Sequence, residues 1–236
     1  MLFFLAAGLV YAQTSSHPDT NTIVARMLAA QHENVARLRA FTVRRNYQLL
    51  DQHSVSKAEI VADITWHPPG KKQYSIESAS GGLGERVLRD VLSKDTEAAR
   101  DPQKRELSLD NYDFQFLRME ALEGRPCYVL ALNPRREEKE LLRGQVWVDA
   151  ENYKIHRLEG KPMKSPSWWI RDLYILMTFA DIGGMWLHTS TQAVANVRFR
   201  GQYIMRSRDL EYRSADNPSI QTQHTPAVLA GAVVQR

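Results

Sequence analysis

From Tyr112 to Tyr212 the chain reads as one unbroken run of antiparallel strands, and no other feature constrains its fold as strongly. Pro126–Asn133 (PCYVLALN), Gly144–Ala150 (GQVWVDA), Tyr153–Glu159 (YKIHRLE), Trp168–Phe179 and Trp186–Val197 are rich in β-branched and aromatic residues. Turn-forming residues separate them: Glu123-Gly124, Asp149–Asn152, Lys161-Pro162, Gly183-Gly184 and Gly201. A flat open sheet of this size would leave two unpaired edges, so the spacing predicts a large meander that curls on itself. A curled sheet encloses an interior, and an interior suggests a ligand.

Upstream of that run, Asn21–Arg39 predicts a helix, with Thr20 or Thr22 as its cap and Ile23, Met27, Ala30, Val35 and Leu38 as its apolar stripe. Phe41–Leu50 and Val55–His67 predict a hairpin, and Lys72–Ser78 a third strand. Glycines 81, 82 and 84 open a second helix, Glu85–Arg100, with Val87, Leu88, Val91 and Leu92 on one face. Asp101–Leu109 is a polar connection. The plan is an α+β domain over residues 20–213, with helices packed into or across the mouth of a curved antiparallel sheet. Residues 214–236 lack periodicity and are expected to form a poorly ordered tail.

Composition narrows the functional classes. The 236 residues carry 31 Lys and Arg against 27 Asp and Glu, a net charge of +4 with the two signs intermixed. A nucleic-acid surface needs a coherent basic stripe, and none is visible. Met1–Ala12 (MLFFLAAGLVYA) is an apolar run too short to span a bilayer. It ends in Val10-Tyr11-Ala12, which fits a signal-peptidase site with cleavage after Ala12. It lacks the positive segment that usually precedes such a run. Export to the periplasm as a soluble protein is the expectation. The single cysteine, Cys127, lies mid-strand and is read as a buried small hydrophobe.

Motifs for chemistry are missing. There is no HExxH, Walker loop or GxSxG, and the seven histidines (17, 32, 53, 67, 156, 188 and 224) show no ligand spacing. Gly81-Gly82-Leu83-Gly84 precedes a helix but does not follow the GxGxxG pattern, and reads as a flexible helix entry. His32-Glu33 and His156–Glu159 fit solvent-facing positions. Asp149 closes a strand before a turn, where Asp bonds neighbouring backbone N–H groups. No catalytic residue, metal or cofactor is assigned. An enzyme whose residues converge only in space remains a rival, recognisable by His with Asp or Glu lining a pocket.

The aromatic residues are more suggestive. Trp66, Trp147, Trp168, Trp169 and Trp186 lie in or beside strands, joined by Phe114, Phe116, Tyr174, Phe179 and Phe199. In Trp168–Phe179 one alternating set is Trp169, Leu173, Ile175, Met177 and Phe179, and the other is Trp168, Ile170, Tyr174 and Leu176. A strand apolar on both faces is either covered twice or faces an apolar pocket.

RGQVWVDAENYKIHRLEG (Arg143–Gly160) resembles the G-x-V-W-V-D, turn, Y-x-I-x-R hairpin of the outer-membrane lipoprotein-sorting superfamily, the LolA/LolB-like periplasmic carriers. Pro126–Pro134 resembles the preceding strand, ending in Leu-x-Pro. Phe179–Leu187 resembles the later hairpin ending in Trp-Leu, and Asn21–Arg39 with Phe41 the opening helix and first strand. The resemblance covers about residues 20–212 and marks strands and turns only. It implies an unclosed β-barrel, a half-barrel capped by helices, whose apolar cavity receives acyl chains without nucleotide or metal. The helix Glu85–Arg100 departs from the pattern, since typical carriers have a strand pair there. Arg44-Arg45 lies where a basic residue of such a carrier could bond backbone carbonyls of a lid, and no role is carried over to it.

The expectation is therefore an exported, non-enzymatic protein that binds a lipid or the acyl chain of a lipoprotein. Its pocket wall is expected from Trp147, Trp169, Leu173, Ile175, Phe179 and Trp186. The rivals are an envelope sensor of the same fold that signals through a membrane-protein partner, a hydrolase, and a structural envelope protein with a filled core.

Overall fold

The structure is a computed structural model that describes residues 18–214 and 217–221. The expected leader, residues 1–12, lies outside them. Strands β1 (Phe41–Asp51), β2 (Ser56–His67) and β3 (Lys71–Ala79) precede the meander β4 (Tyr112–Leu122), β5 (Arg125–Pro134), β6 (Leu142–Asp149), β7 (Ile155–Pro162), β8 (Ile170–Ile182), β9 (Met185–Val197) and β10 (Gly201–Ser214). A short β11 (Asn217–Gln221) follows, and helices α1 (Thr20–Arg37) and α2 (Gly82–Ala98) complete the main elements.

All strands belong to one sheet, ordered β3-β2-β1-β10-β9-β8-β7-β6-β5-β4, with β11 on β10. Its ends, β3 and β4, do not pair with each other, so the sheet is an unclosed barrel. The meander read from Tyr112 to Tyr212 is present strand for strand. Alternation sorts its two faces. One row of cross-strand partners runs Leu130, Val146, Leu158, Met177, Thr191, Ser207, Tyr47 and Ile60 on the concave side. The next runs Arg118, Val129, Trp147, Arg157, Thr178, Ser190, Arg208 and Asn46 on the convex side.

Each helix fills one flank of the concave face. α1 buries Ile23, Val24 and Met27 among Tyr112, Leu130, Leu132, Val146, Val148 and Leu158. α2 buries Leu88 and Leu92 among Ala58, Ile60, Ala62 and Ile64. Two expectations for α1 are corrected. Its cap is Asp19, whose carboxylate accepts from the Thr22 backbone N–H at 3.0 Å and the Thr22 hydroxyl at 2.6 Å. A carboxylate outside the first turn satisfies an N–H that a Thr already inside the helix cannot reach. Val35 is exposed, because the last turns of α1 are held by polar contacts instead: Asn34 exchanges two hydrogen bonds with the Trp186 backbone, at 2.7 and 2.8 Å. In α2, Val87 likewise sits at the exposed edge of the stripe.

The expected tail from residue 214 also differs. Asn217–Gln221 pairs with β10 at Glu211, Tyr212 and Ser214. β9 pairs with β10 only up to the Ser190–Arg208 pair, and beyond it leaves that edge open for β11. Residues 222–236 lie outside the described ones.

Curvature comes from bulges and from one glycine pair. Register shifts interrupt the β1–β10, β1–β2, β2–β3, β4–β5, β6–β7 and β8–β9 ladders, each adding local twist. Gly144 and Gly160 face each other across β6 and β7. A Cβ on Gly144 would lie 1.8 Å from the Glu159 carbonyl oxygen, so the two strands approach closer than any side chain permits. Gly144→Ala should therefore lower unfolding stability by roughly 3 kcal/mol, read from urea denaturation.

Candidate functional site

Between the two flanks, the floor of the half-barrel is made by β8, β9 and β10. Three cross-strand rows form it: Leu173, Ala195 and Tyr203; Ile175, Ala193 and Met205; Met177, Thr191 and Ser207. Ile175 and Met177 pack against the cluster that holds the α1 stripe, and Tyr203 and Met205 against the one that holds the α2 stripe, yet these four and Leu173 remain only half-buried. The result is an apolar trough, continued at one end by Phe179, which packs against the α1 core.

The six residues expected to line a pocket separate into three places. Leu173, Ile175 and Phe179 come together on the concave side. Trp186 also faces inward, because the bulge at Thr189 changes the phase of β9. Its indole N–H donates to the Ile155 carbonyl at 2.6 Å, and Lys154 lies 4.9 Å from its ring. Trp169 stands at the rim, where its carbonyl accepts from the Arg198 N–H at 2.9 Å. Trp147 lies on the convex face with Cys127 and Val129, its ring covered by the guanidinium of Arg157 at 4.7 Å and approached by that of Arg118 at 6.0 Å. The VWV pattern held the signal: Val146 and Val148 point inward, so the residue between them points out.

A polar cluster closes the trough end near Phe179, and motif reading missed it because its members are far apart in sequence. Arg45 is buried on the concave face and forks onto the Asp209 carboxylate, its second hydrogen bond measuring 3.0 Å. The same guanidinium donates to the His188 carbonyl at 3.2 Å, and the Tyr212 hydroxyl lies on both Asp209 and that carbonyl. Lys72 pairs with Asp95 of α2 nearby. Arg45 thus bonds a strand carbonyl, at the point where β9 parts from β10. Arg44 faces out, onto Asp63 at 3.0 Å.

Burial, and then the positive charge of Arg45, push His188 down to about 3, so its imidazole is neutral. Its Nε2 lies 2.7 Å from the Thr191 hydroxyl on the trough floor. Burial raises Tyr47 to about 12. Asp95 stays below the usual carboxylate range: burial opposes its charge, but Lys72 and Arg45 act together against burial and prevail.

The other histidine–carboxylate contact is His156 with Asp149. It corrects the solvent-facing reading of His156, which is instead half-buried, edge-on to Trp186 at 4.7 Å. Its Nε2 lies 3.2 Å from Asp149 but out of line for a hydrogen bond. Asp149 serves its turn, accepting from the Glu151 and Asn152 N–H groups at 2.8 and 3.1 Å. The Cys127 thiol beside them is fully buried and pushed up to about 11 by burial and by Asp149. Two hollows, a polar one of about 570 Å³ around Asp63, Tyr74 and Glu77 and a mixed one of about 210 Å³ around Phe41, Ile182 and Tyr212, contain none of the six expected residues.

No protein-family model matches the chain, and no curated protein matches it. Among solved structures, it is similar to a DUF1329 family protein from Desulfovibrio piger, at 13% identity and a TM-score of 0.47, over 84% of this chain and 94% of the other. It is similar to an outer membrane lipoprotein-sorting protein domain from Vibrio parahaemolyticus, at 14% identity and a TM-score of 0.41, covering 80% and 92%. It is also similar to a LolA superfamily protein from Nitrosomonas europaea, at 12% identity and a TM-score of 0.37, covering 89% and 96%. At such identities the function rests on the geometry of the trough.

Two measurements test the polar cluster. Arg45→Met strands the buried Asp209 charge and should cost roughly 3 kcal/mol or more in urea unfolding, while adding Asp209→Asn should recover part of that loss. His188 is neutral when folded and binds a proton near its ordinary value when unfolded. Stability therefore falls as pH drops from about 6.5 towards 3, where the unfolded chain holds the extra proton. His188→Gln should flatten that fall by on the order of 1–2 kcal/mol between pH 7 and 5.

Proposed function

We propose that this chain is a non-enzymatic binding protein that takes an apolar chain, such as the acyl group of a lipid or lipoprotein, into the trough over β8–β10. The observation that carries this is the only half-buried apolar floor of Leu173, Ile175, Met177, Tyr203 and Met205 between the two helices. Phe179 and Trp186 form its inner end, and Trp169 stands at its rim. Trp147, on the convex face, is no part of it.

Magnitudes are consistent. From Leu173 to Phe179 the floor runs about 20 Å along β8. Eight buried methylenes at about 0.8 kcal/mol each would give about 6 kcal/mol, an affinity of tens of micromolar before any polar contact. No nucleotide, metal or cofactor is needed for such uptake.

A hydrolase reading is weakened by both histidines near the trough among the described residues: His156 lies out of line with Asp149, which serves its turn. His188 meets Thr191, but an imidazole with its pKa near 3 is too weak a base to activate a hydroxyl at neutral pH. Work in the periplasm is part of the proposal, supported by the apolar run Met1–Ala12.

Leu173→Glu, at a half-buried floor position, should reduce binding of a fluorescent fatty-acid probe by at least about tenfold while leaving the circular dichroism spectrum unchanged. Equal uptake by the folded variant would remove the trough from the binding site.

A further inference from the structure

The end of the half-barrel opposite the Arg45 cluster carries apolar surface that the fold does not use. The loop before β8 and the tip between β9 and β10 lie side by side, joined by the Arg198 N–H on the Trp169 carbonyl at 2.9 Å and by Arg198 Nε on the Trp168 carbonyl at 2.8 Å. These tips present Trp168, 79% exposed, Phe199, 100% exposed, and Trp169, 36% exposed. Neither Trp168 nor Phe199 packs against another ring among the described residues. Phe199 also holds a left-handed backbone, φ 63°, which a bulky side chain rarely adopts. The Ser165 hydroxyl bonds the Ser167 and Ile170 carbonyls at 2.7 and 2.8 Å, so the Trp168-Trp169 loop is internally braced.

The charge of these tips has one sign. Residues 161–171 contain Lys161, Lys164 and Arg171, residues 197–201 contain Arg198 and Arg200, and neither stretch holds an Asp or Glu. Lys161 pairs with Asp172 at 3.0 Å, whereas Lys164, Arg171 and Arg200 have no ion pair among the described residues. Aromatic rings among cations is the composition that suits the headgroup layer of a bilayer, where Trp and Phe sit at the interface and Arg and Lys meet phosphate.

We propose that this aromatic, cationic rim docks the protein on an anionic phospholipid bilayer. Two arguments favour a bilayer over a second copy of the chain. Packing the rim on itself would bring like charges together, and protruding tips need a yielding surface rather than a rigid flat one. β8 leads from this rim directly to Leu173, so docking sets the mouth of the trough against the lipid surface. The docking itself stands without the acyl-binding reading, and the two have separate tests.

The experiment is co-flotation with vesicles of phosphatidylcholine alone and of phosphatidylcholine with phosphatidylglycerol, together with energy transfer from tryptophan to a dansyl-labelled lipid. The chain should bind the anionic vesicles and lose binding as salt rises. Trp168→Ser with Phe199→Ser should weaken that binding on the order of tenfold, and so should Arg171→Gln with Arg200→Gln. Lys71→Gln, an exposed change at the opposite end, should leave it unchanged. All these variants should keep the fatty-acid uptake that Leu173→Glu loses. Absence of vesicle binding, or binding that survives the aromatic double substitution, would overturn the proposal. So would a self-associated form in sedimentation that the same double substitution dissolves, which would make the rim a contact between copies.

Discussion

Ten strands about 4.8 Å apart make an arc of about 45 Å, and a packed helix covers about 10 Å of its width. The chain has two long helices for that concave face among the described residues. The remaining floor must then be filled by large side chains, covered by something else, or left open. Here β8–β10 interleave the small Ala193, Ala195, Thr191 and Ser207 with Leu173, Ile175, Met177, Tyr203 and Met205, and these larger side chains stay half-buried. The incomplete burial of the floor follows from sheet width against helix number, and the placement of α1 and α2 on opposite flanks decides where it falls.

The polar cluster sets the shape of the inner end. β9 leaves β10 just past Ser190, and at that point the Arg45 guanidinium and the Tyr212 hydroxyl satisfy the His188 carbonyl that a ladder partner would otherwise have taken. Asp209 supplies the compensating charge. The separation of the strands therefore costs no buried carbonyl, and β11 takes the vacated edge of β10.

Much of this architecture was legible because alternation and turn residues are local. The hairpins from β4 to β10, the first helix and the β1–β2 hairpin follow from patterns a few residues long. What escaped was phase and distance. Arg171 is the extra residue of a bulge, so Trp169 and Leu173, two of one alternating set in the sequence, do not share a face. Thr189 does the same to β9, turning His188 and Trp186 inward. The contact of Arg45 with Asp209 spans 164 residues, and no local pattern announces it. Trp147 was readable from its flanking valines, yet its bulk suggested a pocket more strongly than its parity denied one.

The strand order has a kinetic side. Every pairing from β4 to β10 joins neighbours in sequence, whereas the β1–β3 unit joins that meander only through β1 against β10. Closing a loop of this length costs about 3 kcal/mol more entropy than closing a hairpin turn. Assembly is thus expected to begin in the carboxy-terminal meander and to end with the amino-terminal hairpin. Until β1 arrives, Asp209 has no guanidinium partner, so the last step of folding is also the one that neutralises the charge at the heart of the barrel.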